Sequence, residues 1–137
     1  HEFGTVTGRQ RRCGWFDSVL VKQAVVLSSI NGIALTKLDV LDDFKEIKIC
    51  TGYYLDNEVL NYLPSSEKQQ KRIKPIYEIM EGWEGSIVGI RKFEDLPKQA
   101  RNYVKRIEKL IGCEIILIST SPERSDTIYL KNPFDVN

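Results

Sequence analysis

The stretch Gly32–Val40 most constrains how this chain can fold, because an apolar, β-prone run there ends in Thr36, Lys37 and Asp39. A buried strand of this kind delivers its terminal side chains to the edge of a sheet, where open α/β sheets bind their ligands. The Asp39 carboxylate could accept two parallel hydrogen bonds from the N1 and N2 donors of guanine, while the Lys37 stem lies along the ring. Adenine has no such donor pair at that edge. The alternative is that Lys37 and Asp39 are only the solvated end of a core strand.

A second segment of the same character follows at Ile115–Ile118, a short continuous apolar run typical of a buried parallel strand. It continues directly into the small hydroxyl residues Ser119, Thr120 and Ser121. Because the carboxyl ends of parallel strands meet at one edge of a sheet, both segments are expected to contribute to one ligand site.

Residues 1–14 contain three glycines and three arginines and little that could be buried, a composition suited to an anion-binding loop. Glycines let the backbone approach a ligand, and guanidinium groups bind carboxylate or phosphate through paired hydrogen bonds. A frayed terminal arm with solvated arginines explains the composition equally well. An RNA-binding arm is a third interpretation, which the near-neutral chain and the lack of interleaved aromatics disfavour.

Two helices are predicted from hydrophobic periodicity. The apolar face of the first is expected to consist of Leu20, Ala24, Leu27 and Ile30, and extra valines suggest that this helix is buried on more than one side. The apolar face of the second is expected to consist of Ala100, Tyr103, Val104, Ile107, Leu110 and Ile111. The residues expected to begin and end the helices are Asp17 or Ser18 and Asn31-Gly32 for the first, and Asp95, Pro97 and Gly112 for the second.

The remaining chain is predicted to be mainly extended. Alternating residues over 45–63 indicate an antiparallel hairpin that turns at Asp56-Asn57, and 65–74 form a polar loop. Further extended pieces are expected at 33–38, 75–83, 87–90, 115–118 and 127–130. The predicted fold class is therefore α/β, with two main helices, buried strands and an antiparallel hairpin.

Composition limits the possible functions. The chain has 137 residues, 42% of them hydrophobic, and a formal net charge of +1, so one globular core is expected and no overall charge favours nucleic acid or membrane. Cys13, Cys50 and Cys113 are far apart and odd in number, which suggests reduced core residues of a cytoplasmic protein. No apolar run is long enough to span a membrane.

Catalytic motifs are missing from the sequence. The only histidine is His1, no glycine-rich phosphate loop is present, and no cluster has metal-ligand spacing. The chain resembles a binding portion without a catalytic portion, and its start at His1 without a Met suggests a fragment of something longer.

Five motifs, in order and at similar spacing, make the chain resemble the adenylosuccinate synthetase family. The motifs are Gly4–Asp17, Leu35–Asp42, Pro75–Glu78 with Gly82-Trp83, Ile118–Arg124 and Asn132–Asp135. The resemblance covers the whole chain, which would form the C-terminal third, roughly, of a P-loop-NTPase-like mixed-sheet enzyme.

The resemblance implies a ligase that couples GTP hydrolysis to the joining of IMP and L-aspartate, in the first committed step from IMP to AMP. In such enzymes GTP phosphorylates the IMP O6, and the aspartate amine then displaces the phosphate. The resemblance also implies Mg²⁺ as cofactor and a homodimer. The family's catalytic Asp and His, its phosphate loop and its magnesium ligands are expected in a preceding part, so no catalytic residue is assigned here.

Residue by residue, the resemblance assigns three groups of binding residues. Arg9 resembles an arginine that also contacts IMP, and Arg11 one that reaches the GTP side. At Ser121 the chain departs from many family members, which have Gly there, so a side chain is added next to the base. The groups are Thr5, Val6, Thr7, Gly8, Arg9, Gln10 and Arg11 for aspartate and IMP, Lys37, Leu38 and Asp39 for guanine, and Ser119, Thr120 and Ser121 as a second guanine-side segment.

Two other functions stay open at this point. A non-catalytic guanine-nucleotide binding module would bind GDP without turnover. A structural or RNA-binding domain that uses the arginine arm would show steeply salt-dependent RNA binding that survives Asp39→Asn.

Overall fold

The computed structural model describes residues 14–130, which form a mixed α/β structure with two sheets. The predicted class, with two main helices, buried strands and an antiparallel hairpin, is confirmed. The strands are β1 (Phe16–Asp17), β2 (Gly32–Leu35), β3 (Glu46–Leu55), β4 (Glu58–Leu60), β5 (Lys74–Glu81), β6 (Glu114–Ser119) and β7 (Thr127–Tyr129), and the helices are α1 (Ser18–Ser28), α2 (Glu67–Gln70) and α3 (Lys98–Ile111).

The first sheet is built around the long strand β3. It pairs antiparallel with β5 along most of its length, antiparallel with β4 across the predicted Asp56-Asn57 turn, and parallel with β1. Strand β5 ends at a close approach of two backbones, because a Cβ at Gly82 would lie 1.8 Å from the Phe44 carbonyl oxygen. Only glycine fits there, and the Gly82 amide donates to the Lys45 carbonyl.

The second sheet carries both segments singled out in the sequence. Strand β6 lies in its centre, parallel to β2 and antiparallel to β7, with Leu35 opposite Ile118. The main core lies between the sheets and α3, whose apolar face is buried as predicted apart from the half-buried Leu110. The buried residues of this helix are Ala100, Tyr103, Val104, Ile107 and Ile111.

Helix α1 differs from its prediction in its end and its buried face. Asp17 caps it as expected, but the helix ends at Ser28 because Ser29 is left-handed, with φ 52°. Val19 and Val25 are buried, whereas Leu27 is 79% exposed. The predicted face was wrong because apolar residues surround the helix, so their spacing does not select one side. The helix contributes Val25 to the main core and Val19 to a second apolar cluster, whereas Val26 and Leu27 are exposed.

Three further boundaries differ from prediction. Strand β2 ends at Leu35 and not at residue 38, because Lys37 has a φ of 59°. Asp95 does not cap α3; it ends a short 3₁₀ turn, Phe93–Asp95, and Pro97 occupies the cap position without a side-chain hydrogen bond. The strand predicted at 87–90 is a turn closed by the Ile90 amide on the Ile87 carbonyl, and the 65–74 loop contains α2.

Cys50 and Cys113 are buried free thiols, and Cys13 lies outside the described residues. Burial raises the pKa of Cys50 to about 11 and also raises that of Cys113, so both thiols stay protonated at neutral pH. Within residues 14–130, none of the helices has the length and apolar content needed to cross a membrane.

Candidate functional site

The segment after β2 forms a tight turn at the edge of the second sheet. Lys37 takes the left-handed conformation, and a 3₁₀ turn, Leu38–Leu41, follows directly. Leu38 and Leu41 are buried in the main core and anchor the turn, while Lys37 is exposed. We call Lys37–Asp39 the first segment. Its exposed lysine and anchored leucine leave Asp39 at the boundary between core and solvent.

Asp39 carries a buried oxygen that has no hydrogen-bond partner. Its Oδ1 is the single buried side-chain nitrogen or oxygen atom within residues 14–130 for which this is so. Burial raises the pKa of Asp39 above its ordinary value; the neighbouring Asp42 charge adds to the rise, while its own backbone amide and Lys37 oppose it. Buried polar atoms are nearly always paired, so an unpaired one at a sheet edge marks a place where a ligand donor could bind.

The second segment, Ser119–Ser121, meets the first directly. The Lys37 backbone amide donates to the Ser119 hydroxyl at 2.8 Å. The contact follows from the parallel pairing of β2 with β6, which brings both strand ends to the same edge. The two segments that sequence analysis selected separately are therefore neighbours.

Thr120 and Ser121 turn their side chains into the protein. Thr120 is fully buried, and its hydroxyl donates to the Ile90 carbonyl at 3.0 Å. The Ser121 hydroxyl donates to Asp126 Oδ2 at 2.8 Å and accepts from the Glu123 amide at 3.0 Å. These hydroxyls are occupied within the chain, and the Ser121 side chain folds against Asp126.

Sequence reasoning missed one residue of this region, Asp42. Its Oδ1 accepts from Trp83 Nε1 at 2.8 Å, and its Oδ2 accepts from the Ile87 amide at 3.1 Å. Trp83 itself is buried in the core, with 2% of its surface exposed. The Leu35–Asp42 motif contains Asp42, but a sequence pattern does not reveal that its partners lie more than forty residues away.

The residues assigned to aspartate and IMP, Thr5, Val6, Thr7, Gly8, Arg9, Gln10 and Arg11, lie outside the described residues. The described part begins just after them, and Asp17 fixes its start by accepting from the Val19 and Leu20 amides and from the Tyr53 hydroxyl. Within residues 14–130, no group of three or more His, Cys, Asp or Glu side chains could hold a metal ion.

Comparison with known proteins places the chain in a family. The adenylosuccinate synthetase family model matches residues 1–128. The structure also superimposes on that of the fully ligated adenylosuccinate synthetase from Plasmodium falciparum with a TM-score of 0.84 and 36% sequence identity. The match covers 96% of this chain but 32% of the Plasmodium chain, so this chain spans about a third of that protein's length. The chain therefore belongs to the adenylosuccinate synthetase family.

Proposed function

We propose that this chain is the C-terminal third of an adenylosuccinate synthetase and supplies its guanine-binding site. The observation that carries the proposal is the buried, unpaired Oδ1 of Asp39 beside Lys37. A guanine base offers two adjacent N–H donors, which match a carboxylate with a free oxygen. The raised pKa of Asp39 fits this role, because the charged form is poorly solvated until donors bind it.

In this proposal the two segments have different tasks. Asp39 reads the guanine edge, and the exposed Lys37 lays its stem along the ring face. The second segment contributes through backbone groups, since the Thr120 and Ser121 hydroxyls are already bonded within the chain. Neither segment takes part in the reaction itself. Both determine which nucleoside triphosphate is bound.

The whole enzyme would be a ligase that forms adenylosuccinate from IMP, L-aspartate and GTP in purine biosynthesis, with GDP and phosphate as products. Arg9 and Arg11 of the Thr5–Arg11 loop would bind the dicarboxylate and stabilise phosphoryl charge, as guanidinium groups do in phosphoryl transfer. Mg²⁺ would neutralise phosphate charge, with ligands outside residues 14–130. A cytoplasmic homodimer completes the proposal, and the 137-residue chain alone is expected to be inactive.

The test measures adenylosuccinate formation from IMP and aspartate with GTP, ATP or XTP, using the full-length enzyme that contains this chain. Asp39→Asn replaces one acceptor by a donor, which clashes with guanine N–H groups but matches the C2 carbonyl of xanthine. We expect kcat/KM for GTP to fall by about 100-fold and the preference to shift toward XTP. The matched control is Asp95→Asn, an exposed aspartate in the Phe93–Asp95 turn, which is expected to keep the wild-type preference.

Three results are informative. GTP-dependent turnover that shifts toward XTP in Asp39→Asn supports both the enzyme and the base-reading role. Absence of turnover with every nucleotide contradicts the synthetase proposal and favours a non-catalytic guanine-nucleotide binding module. Turnover with an unchanged nucleotide preference keeps the enzyme but moves guanine recognition away from Asp39.

A further inference from the structure

The segment Trp83–Ile90, which we call the bridging segment, is hydrogen-bonded at both ends to the elements that carry the proposed guanine site. At its first residue, Trp83 Nε1 donates to Asp42 at 2.8 Å. Further along the segment, the Ile87 amide donates to the same carboxylate at 3.1 Å. Asp42 directly follows the 3₁₀ turn that holds Asp39. One carboxylate therefore fixes two points of the bridging segment to the Asp39 turn.

At its other end, the bridging segment is bonded to the second segment. The buried Thr120 hydroxyl donates to the Ile90 carbonyl at 3.0 Å. Asp126, which bonds the Ser121 hydroxyl, also pairs with Arg91 at 3.4 Å, one residue beyond the bridging segment. The second contact is a long, exposed ion pair and adds little. The Thr120 hydroxyl, on a side chain with no exposed surface, provides the shorter connection, and it also lies 3.3 Å from the Asp126 carbonyl oxygen.

Core packing makes this connection rigid. Trp83 and Ile87 of the bridging segment are buried with Leu38 and Leu41 of the Asp39 turn in the same apolar cluster. Between these anchors the backbone follows a path that Gly85 shapes with a φ of +84°. Displacing the bridging segment would open the packing under Asp39 and break the bond to Thr120 together.

We propose that Asp42 and Thr120 are positioning residues that set the separation of the two guanine-side segments through the bridging segment. The inference rests on the proposed guanine site, and it gives Thr120 a role different from base contact. The Lys37 amide bond to Ser119 joins the segments at their near ends. The bridging segment is bonded to both through Asp42 and Thr120, and in this proposal it keeps Asp39 and the backbone of the second segment directed at one base. Small displacements of such groups weaken binding steeply.

The experiment uses Asp42→Asn and Thr120→Val in the full-length enzyme, with GTP, IMP and aspartate each varied in turn. At position 42, Asn keeps one acceptor but directs its amide donor at one of the two N–H groups that Asp42 binds. At position 120, Val keeps the shape of Thr without the hydroxyl. We expect the KM for GTP to rise about tenfold in each variant, with kcat and the other two KM values within about twofold. The preference for GTP over XTP should persist, because Asp39 still reads the base.

Two comparisons separate positioning from a general loss of stability. Thr120→Ser retains the hydroxyl and should restore the KM for GTP. Glu78→Gln breaks the ion pair with Arg106 on β5 and α3, away from the site, and should lower stability while leaving the KM for GTP unchanged. In the double variant Asp42→Asn/Thr120→Val, the KM should rise by less than the product of the single effects, because both residues hold one segment.

The inference is overturned if the KM for GTP stays within about twofold of wild type in both single variants while Asp39→Asn still shifts the preference toward XTP. An unchanged preference in Asp39→Asn instead contradicts the proposed guanine site, and the positioning role with it. If Asp42→Asn does not fold, Trp83→Phe removes the indole donor to Asp42 while keeping an aromatic ring in the core, and it is expected to raise the KM for GTP in the same direction.

Discussion

The Lys37 amide and the Ser119 hydroxyl, 82 residues apart in sequence, are joined by a 2.8 Å hydrogen bond. This bond connects the ends of β2 and β6, the two strands that carry the proposed nucleotide-binding segments. The left-handed turn at Lys37 takes its amide out of the strand hydrogen-bonding pattern, and the Ser119 hydroxyl provides that amide with an acceptor. The shape of the turn and the position of the second segment therefore depend on each other.

Ser119→Ala should weaken both the fold and the proposed nucleotide site. Loss of the acceptor for Lys37 is expected to lower the free energy of unfolding by about 1 kcal/mol and to raise the KM for GTP. Urea denaturation and steady-state kinetics of the full-length enzyme measure these effects. Ser66→Ala, which removes a comparable acceptor from the exposed helix α2, is the control and should leave the KM unchanged. A normal KM in Ser119→Ala would show that the bond does not shape the site.

The elements that the sequence predicted correctly are those whose local pattern agrees with their surroundings. The apolar face of α3, its end at Gly112 and the turn at Asp56-Asn57 each follow from a few adjacent residues. Strand β6 was also predicted from its continuous apolar run, which is typical of a strand covered on both faces.

The prediction failed where a distant partner decides the conformation. The extended stretch at 87–90 became a turn because the Asp42 carboxylate binds the Ile87 amide. Strand β2 stopped early because the Lys37 amide found an acceptor in Ser119. The residues of the proposed site were identifiable from the family resemblance, but the inward orientation of Thr120 and Ser121 required the structure.

Lys37→Gly should separate stability from nucleotide binding. Lys37 has a φ of 59°, a conformation that costs a residue with a Cβ about 1 kcal/mol relative to glycine. The variant keeps the backbone amide, so its free energy of unfolding should rise by up to about that amount, while the KM for GTP increases through loss of the lysine stem. Ser29→Gly has the same conformational relief at φ 52° and should gain stability without any change in KM. Equal KM values in the two variants would contradict a role for the Lys37 side chain.

The ion pair between Glu78 and Arg106 should make stability depend on acid pH. Arg106 donates to both Glu78 carboxylate oxygens, at 2.7 and 2.8 Å, and these hydrogen bonds lower the pKa of Glu78 below its ordinary value of 4.5. A lowered carboxyl pKa stabilises the fold above pH 4.5, and this contribution disappears as the pH falls through the lowered value. Because both side chains are partly exposed, the effect is small, about 0.5 kcal/mol.

Urea denaturation of wild type and Glu78→Gln over pH 3–7 tests this expectation. Wild type should be the more stable protein at pH 7, and the difference should shrink as the pH falls below 4.5. A difference that persists at low pH would mean that the Glu78→Gln substitution disturbs packing and that the ion pair is not the cause.

Asp39 should make stability depend on pH in the direction opposite to Glu78. Its ionisation should lower the free energy of unfolding of the unliganded protein, whereas bound nucleotide should favour the ionised form. Burial raises the pKa of Asp39 above its ordinary value of 3.8, so in the absence of ligand the ionised form destabilises the fold. This cost develops as the pH rises from 3.8 through the raised value. Asp39→Asn, which carries no charge, should therefore be more stable than wild type at pH 7 without nucleotide, and the difference should shrink in acid.

Guanine donors bound to Asp39 would favour the ionised form, so GDP affinity should increase as the pH rises through the same window. Calorimetric titration of GDP into the full-length enzyme at pH 4.5–7.5 measures this, with Asp39→Asn as the comparison. The variant should bind GDP weakly, with little pH dependence over this window. If the unliganded Asp39→Asn variant is no more stable than wild type at pH 7, the ionised, unpaired Asp39 carboxylate does not lower the free energy of unfolding. A GDP affinity that follows the same pH curve in both proteins would assign the titration to another group.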